Sequence, residues 1–363
     1  MTIRKPLAAV AALGAAAALS ACSVLGANAD DSADHPTSPG ASGQAGGSVT
    51  FVTHDSFALS KGILEDFTKQ TGITVKVVQP GDAGVLTNQL VLTKDAPIGD
   101  LAYGIDNTYA TRALDAGVFA AYTPTAAAAD DAAKYQVDDS HRLTAVDMGD
   151  VCVNVDHQWF SQHKVAEPVT LEDLTQPAYK NLFVVPGAST SSPGLAFLLA
   201  TIGAYGEDGW QGYWRKLVAN GVKVDAGWSD AWSTDFSGGG GDGPRPIVLS
   251  YASSPPDTLP EDGGDPRVGA LLDTCFRQVE YAGVLSGAKN PAGAQKLLDF
   301  LLSDEVQADI PGQMYMYPVS SAVELPAEWV KWAPLATKPF AVPADEITAK
   351  RAQWLSHYSE IVG

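Results

Sequence analysis

The sequence is short of positive charge, of cysteine and of catalytic signatures, and each shortage excludes something. Against 42 Asp and Glu it has 23 Lys and Arg, a formal charge of −19 in 363 residues. Nucleic acid and anionic lipid surfaces are therefore poor partners. An acidic surface suits a cationic ligand by raising its local concentration, and it serves the solubility of an exported protein equally well. Beyond the first twenty residues no run is long and apolar enough to cross a bilayer. The six histidines include no His-Glu-x-x-His, and the close pair His157 and His163 is spaced for neither one helical face nor a known metal motif. No metal site and no cofactor are expected. His54, Asp55 and Ser56 carry the letters of a hydrolase triad, but adjacent residues cannot face one another in the required relay, and no Gly-x-Ser-x-Gly elbow occurs. The glycine-rich stretch 237–246 lacks the Lys-Ser/Thr of a phosphate-cradling loop and reads as a flexible connection. These absences do not exclude an enzyme, since acid–base residues need no local signature, and the expectation of binding without turnover rests on what is present instead.

The first residues have the layout of an export signal. Arg4 and Lys5 precede an alanine- and leucine-rich run over 6–19 that is too short to span a bilayer comfortably. It closes on Leu19-Ser20-Ala21-Cys22, similar to the lipobox at which a bacterial signal peptide is cut just before a lipid-bearing cysteine. Residues 1–21 read as a lipoprotein signal peptide and Cys22 as the lipidated mature N-terminus. The expected location is outside the cell, anchored to the outer face of the cytoplasmic membrane. Cleavage removes Arg4 and Lys5 but no acid, taking the formal charge from −19 to −21. Residues 22–47 contain almost no large apolar side chain, cannot offset chain entropy by burial, and read as a disordered tether. The roughly 315 residues that follow exceed what one compact core usually serves, so two lobes are expected. With Cys22 carrying lipid, Cys152 and Cys275 are left as an even pair in an oxidising compartment. One disulfide is the reading and two buried free thiols the alternative.

Along the chain the hydrophobic period switches repeatedly between two and 3.6. Strands are predicted over 48–53, 73–78 and 100–103, with helical patterns through Ile63, Leu64 and Phe67, over 86–92 and from 111 to 116. After Asp150 the alternation resumes, with strands over 151–155, 182–185, 222–224 and 247–251 and helices from 171, over 194–204 and over 210–220. Further helices are predicted over 291–302 and 344–357. This rhythm defines an α/β chain with mixed, mostly parallel sheets flanked by helices on both faces. In such sheets ligands sit beyond the carboxyl ends of the strands. Aromatic residues cluster in those loops: Trp228 and Trp232, Tyr251, and Met-Tyr-Met-Tyr-Pro over 314–318. Asp55, Asp106, Asp147 and Asp150 accompany them at predicted strand ends or at the junction of the two α/β units. Ring faces with carboxylates fit a flat heteroaromatic cation, because each cation–π contact supplies about 0.5 to 2 kcal/mol. Trp210, Trp214, Trp329, Trp332 and Trp354 are assigned to packing.

Seven segments then fall in one order: Thr53-His54-Asp55-Ser56-Phe57, Gly104-Ile105-Asp106-Asn107, Ser191-Ser192-Pro193-Gly194-Leu195, Gly227-Trp228-Ser229-Asp230-Ala231-Trp232, Leu249-Ser250-Tyr251 with Ser254-Pro255, Gln278-Val279-Glu280, and Met316-Tyr317-Pro318-Val319. In that order they resemble the thiamine-binding proteins of ABC importers, within the type II periplasmic binding protein class. The resemblance implies two lobes, 48–147 with 282–363 and 148–281, joined by crossings near 148–153 and 275–281 and closing over thiamine or a thiamine phosphate. It also implies an ABC permease as partner, a monomer, and Cys152 and Cys275 on neighbouring hinge strands. The implied ligand set is His54, Asp55, Ser56, Asp106, Asp147, Ser191, Ser192, Trp228, Trp232, Tyr251, Ser254 and Tyr315. His54 stands where the relatives have another aromatic, Tyr315 where they usually have tryptophan, and the tyrosine expected after Ser254-Pro255 falls near Asp257. Ser191 and Ser192, at a helix start, suit a hydroxyl or phosphate oxygen or simply cap the helix. Rival readings are a binder of another cation, a polyamine or ferric iron, and an exported thiamine-cleaving enzyme with a cysteine nucleophile. A ferric site would need two converging tyrosines, whereas Tyr315 and Tyr317 alternate along an extended segment.

Overall fold

The computed structural model describes residues 46–241 and 243–363. The expectations for the signal peptide, for Cys22 and for the tether as far as residue 45 lie outside the described residues. Nine strands follow in chain order: β1 Gly47–Thr53, β2 Ile73–Val78, β3 Leu101–Asp106, β4 Thr144–Asp156, β5 Phe183–Pro186, β6 Lys223–Asp225, β7 Ile247–Tyr251, β8 Val268–Val284 and β9 Tyr317–Pro318. Gly47 already pairs with Ile73, so β1 takes the last residue assigned to the tether. The strands join in the order β2-β1-β3-β8-β4-β7-β5-β6, with β9 on β4. At one side β1 is parallel to β2 and β3, and at the other β5 is parallel to β6 and β7. Each block is the α/β unit its sequence predicts, because a parallel pair needs a crossover. Helix Ile63–Thr71 carries the chain from β1 to β2, and helix Ser192–Ala219 carries it from β5 to β6.

Between the blocks, β4 and β8 run antiparallel to each other and to their neighbours β7 and β3. At 13 and 17 residues they pass through both halves of a two-lobed architecture and form its two crossings. The sequence displays only part of them, since Asp147 and Asp150 are residue types that strands disfavour. Instead of marking strand ends, both lie inside β4 with their charge accounted for. Asp150 sits opposite Arg277, which donates to its two carboxylate oxygens (Nη2 at 2.9 Å), and accepts the Ala336 N–H at 2.7 Å. Asp147 sits opposite Glu280 beside a register shift.

The helices bury the tryptophans assigned to packing. Helix Ser192–Ala219 consists of two helical segments meeting at Gly206, where φ is 70°. Trp210 and Trp214 are fully buried on it, and the Trp214 indole donates to Thr201 Oγ1 at 3.0 Å. Tyr358, from the C-terminal helix Ala344–Val362, meets the Trp214 ring edge-on at 4.8 Å. Trp329 and Trp354 are buried, and Trp332 is half-buried beneath Lys331. Helix Asp304–Gln313 is absent from the sequence reading because Pro311 and Gly312 disguise its last turn. Its buried Gln307 donates to Val146 O of β4 and to Leu301 O, and accepts the Ser320 N–H, fixing the approach to β9.

Cys152 of β4 and Cys275 of β8 form a disulfide 123 residues apart, so the free-thiol alternative does not hold. A loop of that length loses much of its unfolded-state freedom when closed. The double variant Cys152→Ser with Cys275→Ser is expected to lose about 2–5 kcal/mol of unfolding free energy in denaturant titrations. An unchanged midpoint and slope would show that the bridge does not brace the crossings.

Candidate functional site

The residues brought together by this topology surround a cleft where segments following β1, β2, β5, β6 and β7 meet the segment before β9. Its wall comprises His54, Ser56, Asp82, Ala83, Ser192, Pro193, Trp228, Trp232, Tyr251, Ser254, Asp257, Glu280, Met314, Tyr315 and Met316, around about 650 Å³ of non-atom space that is partly open to solvent. Trp228 and Trp232 lie nearly parallel, with centroids 5.8 Å apart at 14°, and Tyr251 is inclined at 63° to Trp228 with centroids 6.4 Å apart. Polar tips fix these rings: Trp228 Nε1 donates to Ser250 Oγ at 3.0 Å and the Tyr251 hydroxyl donates to Gln278 Oε1 at 3.2 Å. Tyr315 enters the cleft from a left-handed backbone (φ 53°) and stacks on Trp329 at 6.4 Å. Tyr317, one residue past Met316, instead donates to Ala333 O, so only one tyrosine of that pair lines the cleft.

The charges beneath the rings form a connected set. His54 Nε2 lies 3.5 Å from Glu280 Oε2, while Nδ1 accepts the Ser56 N–H at 3.1 Å. A neutral ring therefore keeps its proton on Nε2, toward Glu280. Burial alone would depress this imidazole, but the Glu280 carboxylate outweighs it and holds His54 above its ordinary value. Burial pushes Glu280 the other way, up, and the His54 ring overcomes that to keep it below the usual carboxylate range. Gly104 makes room for the ring, since a Cβ there would come within 2.0 Å of His54 Cδ2 and its φ is +94°. The Tyr103 phenol lies between Glu280 Oε2, at 2.7 Å, and Asp147 Oδ2. The phenol has one proton to donate and two buried carboxyls beside it, so the two acids compete for that proton. Burial and the neighbouring Glu280 charge raise Asp147 well above its ordinary value, which makes Asp147 the neutral member.

Across the cleft, the start of helix Ser192–Ala219 is occupied from the opposite half. Asp82 caps helix Ala83–Leu92 through the Ala83 N–H and also accepts the N–H groups of Ser192 and Trp228, each at 3.2 Å. Burial raises its pKa against the pull of the Ser191 hydroxyl and of the Trp228 and Ser192 N–H groups. The Ser192 hydroxyl donates to Asp106, whose other oxygen holds the N–H and hydroxyl of Thr108. The Gly84 N–H donates to Thr190 O at 3.1 Å, where a Cβ on Gly84 would fall 2.6 Å from that oxygen. Ser56 Oγ and Ser229 Oγ complete the seam at 3.5 Å.

Of the residues named from sequence, His54, Ser56, Ser192, Trp228, Trp232, Tyr251, Ser254 and Tyr315 line the cleft. Four do not. Asp55 is exposed, with its backbone N–H held by Gly81 O. Asp106 and Asp147 are sealed below the wall, and Ser191 is fully buried at the helix cap beside Asp82. The carboxylates facing the cleft are Asp82, Asp257 and Glu280. Asp82 was legible only as a helix cap after Pro80-Gly81, and Glu280 only as part of Gln278-Val279-Glu280. Among the described residues no group of three His, Cys, Asp or Glu could hold a metal ion, and no helix is long and apolar enough to cross a membrane.

Two α/β lobes on paired crossing strands, with a ring-lined cleft at their seam, define a solute-binding protein of the type II periplasmic class. Residues 96–342 match the family of bacterial extracellular solute-binding proteins, and the chain belongs to that family. It is 30% identical over 324 residues to the thiamine-binding periplasmic protein of Escherichia coli K12, covering 86% of this chain and 93% of that one. The protein of the same description from Salmonella typhimurium LT2 matches with the same identity and coverage. A solved structure titled periplasmic thiamin binding protein superposes with a TM-score of 0.75 at 28% identity, covering 87% of this chain and 96% of that chain.

Burial pushes the Asp106 carboxyl up to about 6 from an ordinary 3.8, despite donors from Ser192 and Thr108. Between those values the folded chain holds a proton that the unfolded chain has lost, so this stabilising contribution is present at low pH and declines as pH rises through the window. Asp106→Asn removes the linkage. The stability of the wild type relative to the variant is expected to shrink from pH 4 to pH 7 in urea unfolding, and a widening gap would refute the assignment.

Proposed function

We propose that this protein captures thiamine in the cleft and delivers it to an ABC permease, without turning it over. The observation carrying the reading is the pairing of Trp228, Trp232, Tyr251 and Tyr315 with the acids Asp82, Asp257 and Glu280 in one cavity. A planar heteroaromatic cation gains ring contact worth about 0.5 to 2 kcal/mol per cation–π interaction, and the acids balance its charge. His54, Ser56, Ser192 and Ser254 supply polar contacts. The names of the relatives support the same ligand. The proposed lobes divide at 147/148 and 281/282, with the C-terminal helix resting on helix Ser192–Ala219 of the second lobe, and they close as hinged bodies. Residues 1–21 serve as the signal peptide and Cys22 as the lipid anchor in this proposal. A cysteine-dependent cleavage reaction finds no support, since Cys152 and Cys275 are bonded to each other and neither lines the cleft.

Titration of the mature protein with thiamine, followed by tryptophan fluorescence and calorimetry, tests the reading directly. Saturable binding is expected, and Trp228→Ala should weaken it by about 2 kcal/mol or more. No binding by the folded wild type would end the proposal, and an unaltered affinity in the folded variant would remove Trp228 from the site. Gly84→Ala addresses closure separately. Its methyl group meets Thr190 O across the seam and the Tyr109 hydroxyl of its own half, and because that hydroxyl is held in place by Ala188 O across the seam, overpacking of about 1–3 kcal/mol falls on the closed form. Thiamine affinity should fall roughly five- to hundredfold with a nearly constant melting temperature of the unliganded protein. Equal affinity would show that closure does not require this contact.

A further inference from the structure

Among the described residues lining the cleft, His54 is the only one that can take up positive charge. Its two ring nitrogens face opposite demands. Nε2 lies 3.5 Å from Glu280 Oε2, a contact that strengthens when the ring is protonated. Nδ1 accepts the Ser56 N–H at 3.1 Å, and only an unprotonated nitrogen can do so, because both nitrogens of an imidazolium are donors. The closed arrangement thus holds the neutral ring, in surroundings that favour a charged one. The charged groups that act on the ring are acids: Glu280 on β8, Asp82 from the segment after β2, and Asp55 of its own loop. Tyr103 of β3, with its ring 5.5 Å away, stays a neutral phenol because burial and the carboxyls of Asp147 and Glu280 raise it. Against the depressing effect of burial, the acids hold His54 above its ordinary value, Glu280 foremost.

We propose that capture of thiamine expels a proton from His54: the ligand's fixed positive charge and an imidazolium compete for the Glu280 carboxylate, and only the neutral ring accepts the Ser56 N–H. The proposal rests on the thiamine reading above. Once the proton has passed to solvent, Glu280 remains supported by the Tyr103 hydroxyl at 2.7 Å, by Gln278 Nε2 at 2.8 Å and by the proton left on Nε2. The negative charge that balanced the imidazolium then serves the ligand. Ser56, drawn in by Nδ1, is also the residue whose Oγ meets Ser229 Oγ across the seam at 3.5 Å, so proton loss and lobe closure favour each other. Such coupling is reciprocal, and a proton on His54 weakens thiamine by the factor by which thiamine weakens that proton. Thiamine affinity consequently rises with pH through the range in which the unliganded His54 titrates, and levels off above it.

Calorimetric titration of the mature protein with thiamine between pH 6 and pH 8, in buffers of different ionisation enthalpy, counts the protons released on binding. Affinity is expected to be about tenfold higher at pH 8 than at pH 6, with proton release largest at pH 6. His54→Gln keeps a side-chain donor for Glu280 but cannot become charged, and it should remove most of this pH dependence. Titration of Asp82 or of the ligand itself is common to both proteins and cancels in the comparison. Should the variant fail to fold, nitrogen NMR of the wild-type histidine rings at pH 6 reads the same event, as conversion of an imidazolium to the neutral Nε2–H form when thiamine is added. Binding that is equally tight at both pH values and releases no proton would overturn the proposal while leaving the thiamine reading intact. A pH dependence that His54→Gln retains in full, or a His54 ring still charged in the complex, would overturn it as well. Absence of thiamine binding at every pH would remove the reading and the proposal together.

Discussion

Pairing of β4 with β8 sets two acids, Asp147 and Glu280, side by side in the interior at the point where the chain passes between its halves. Both cannot ionise there, since two neighbouring charges out of water repel strongly and each has lost its hydration. Tyr103 and His54 resolve the conflict: the phenol lies between the carboxyls, and the imidazole favours ionised Glu280, which leaves Asp147 to keep its proton. The more acidic carboxyl is consequently the one that faces the cleft, with the one that holds its proton to higher pH beneath it. That asymmetry connects the crossing strands to ligand chemistry, because the charge offered to a cation is set by register in the sheet.

The same strands carry the mechanical links of the molecule. The disulfide and the Asp150–Arg277 pair lie on β4 and β8, and β9 adds a further contact at Asp147 and Met148. A short paired segment braced at several points transmits rotation between halves without letting the strands slide, since a one-residue slip would turn every side chain to the opposite face. Register shifts flank the segment at Ala145/Asp147 and at Val151/Val153, where regular pairing is interrupted.

Much of this was legible in the chain. The strand–helix alternation predicts both parallel blocks, and the tryptophans of Gly-Trp-Ser-Asp-Ala-Trp stand out as two indoles in one post-strand loop, although Trp232 also packs in a small core with Phe236. What stayed hidden were residues whose local context gives them an ordinary role. Asp82 reads as a helix cap and is one, yet its carboxylate also reaches the backbone of Ser192 and Trp228, more than a hundred residues away. Asp147 and Asp150 look like strand breakers because the partners that make them tolerable, Tyr103, Glu280 and Arg277, are distant in sequence. Asp55, by contrast, is adjacent to two lining residues but points outward, a matter of loop geometry that no pattern of residue types encodes.

The seam explains how one small guest could govern the arrangement of two lobes. Its contacts are hydrogen bonds: Asp82 with two backbone N–H groups, Gly84 with Thr190, Ser192 with Asp106, and the Tyr109 hydroxyl with Ala188 O. On opening, each polar group exchanges a protein partner for water, and such exchanges are worth only about 0.5–1.5 kcal/mol apiece. Asp82 and Asp106 regain hydration at the same time, which opposes closure further, as their raised pKa values attest. Contacts of that size are weak enough for a ligand to bias an equilibrium between open and closed arrangements. A ligand shifts such an equilibrium only by its differential affinity for the two states. Trp228, Trp232 and Tyr251 from one half and His54, Asp82 and Tyr315 from the other surround a guest together only when the halves meet, so the interactions that would bind a cation are also those that would close the cleft.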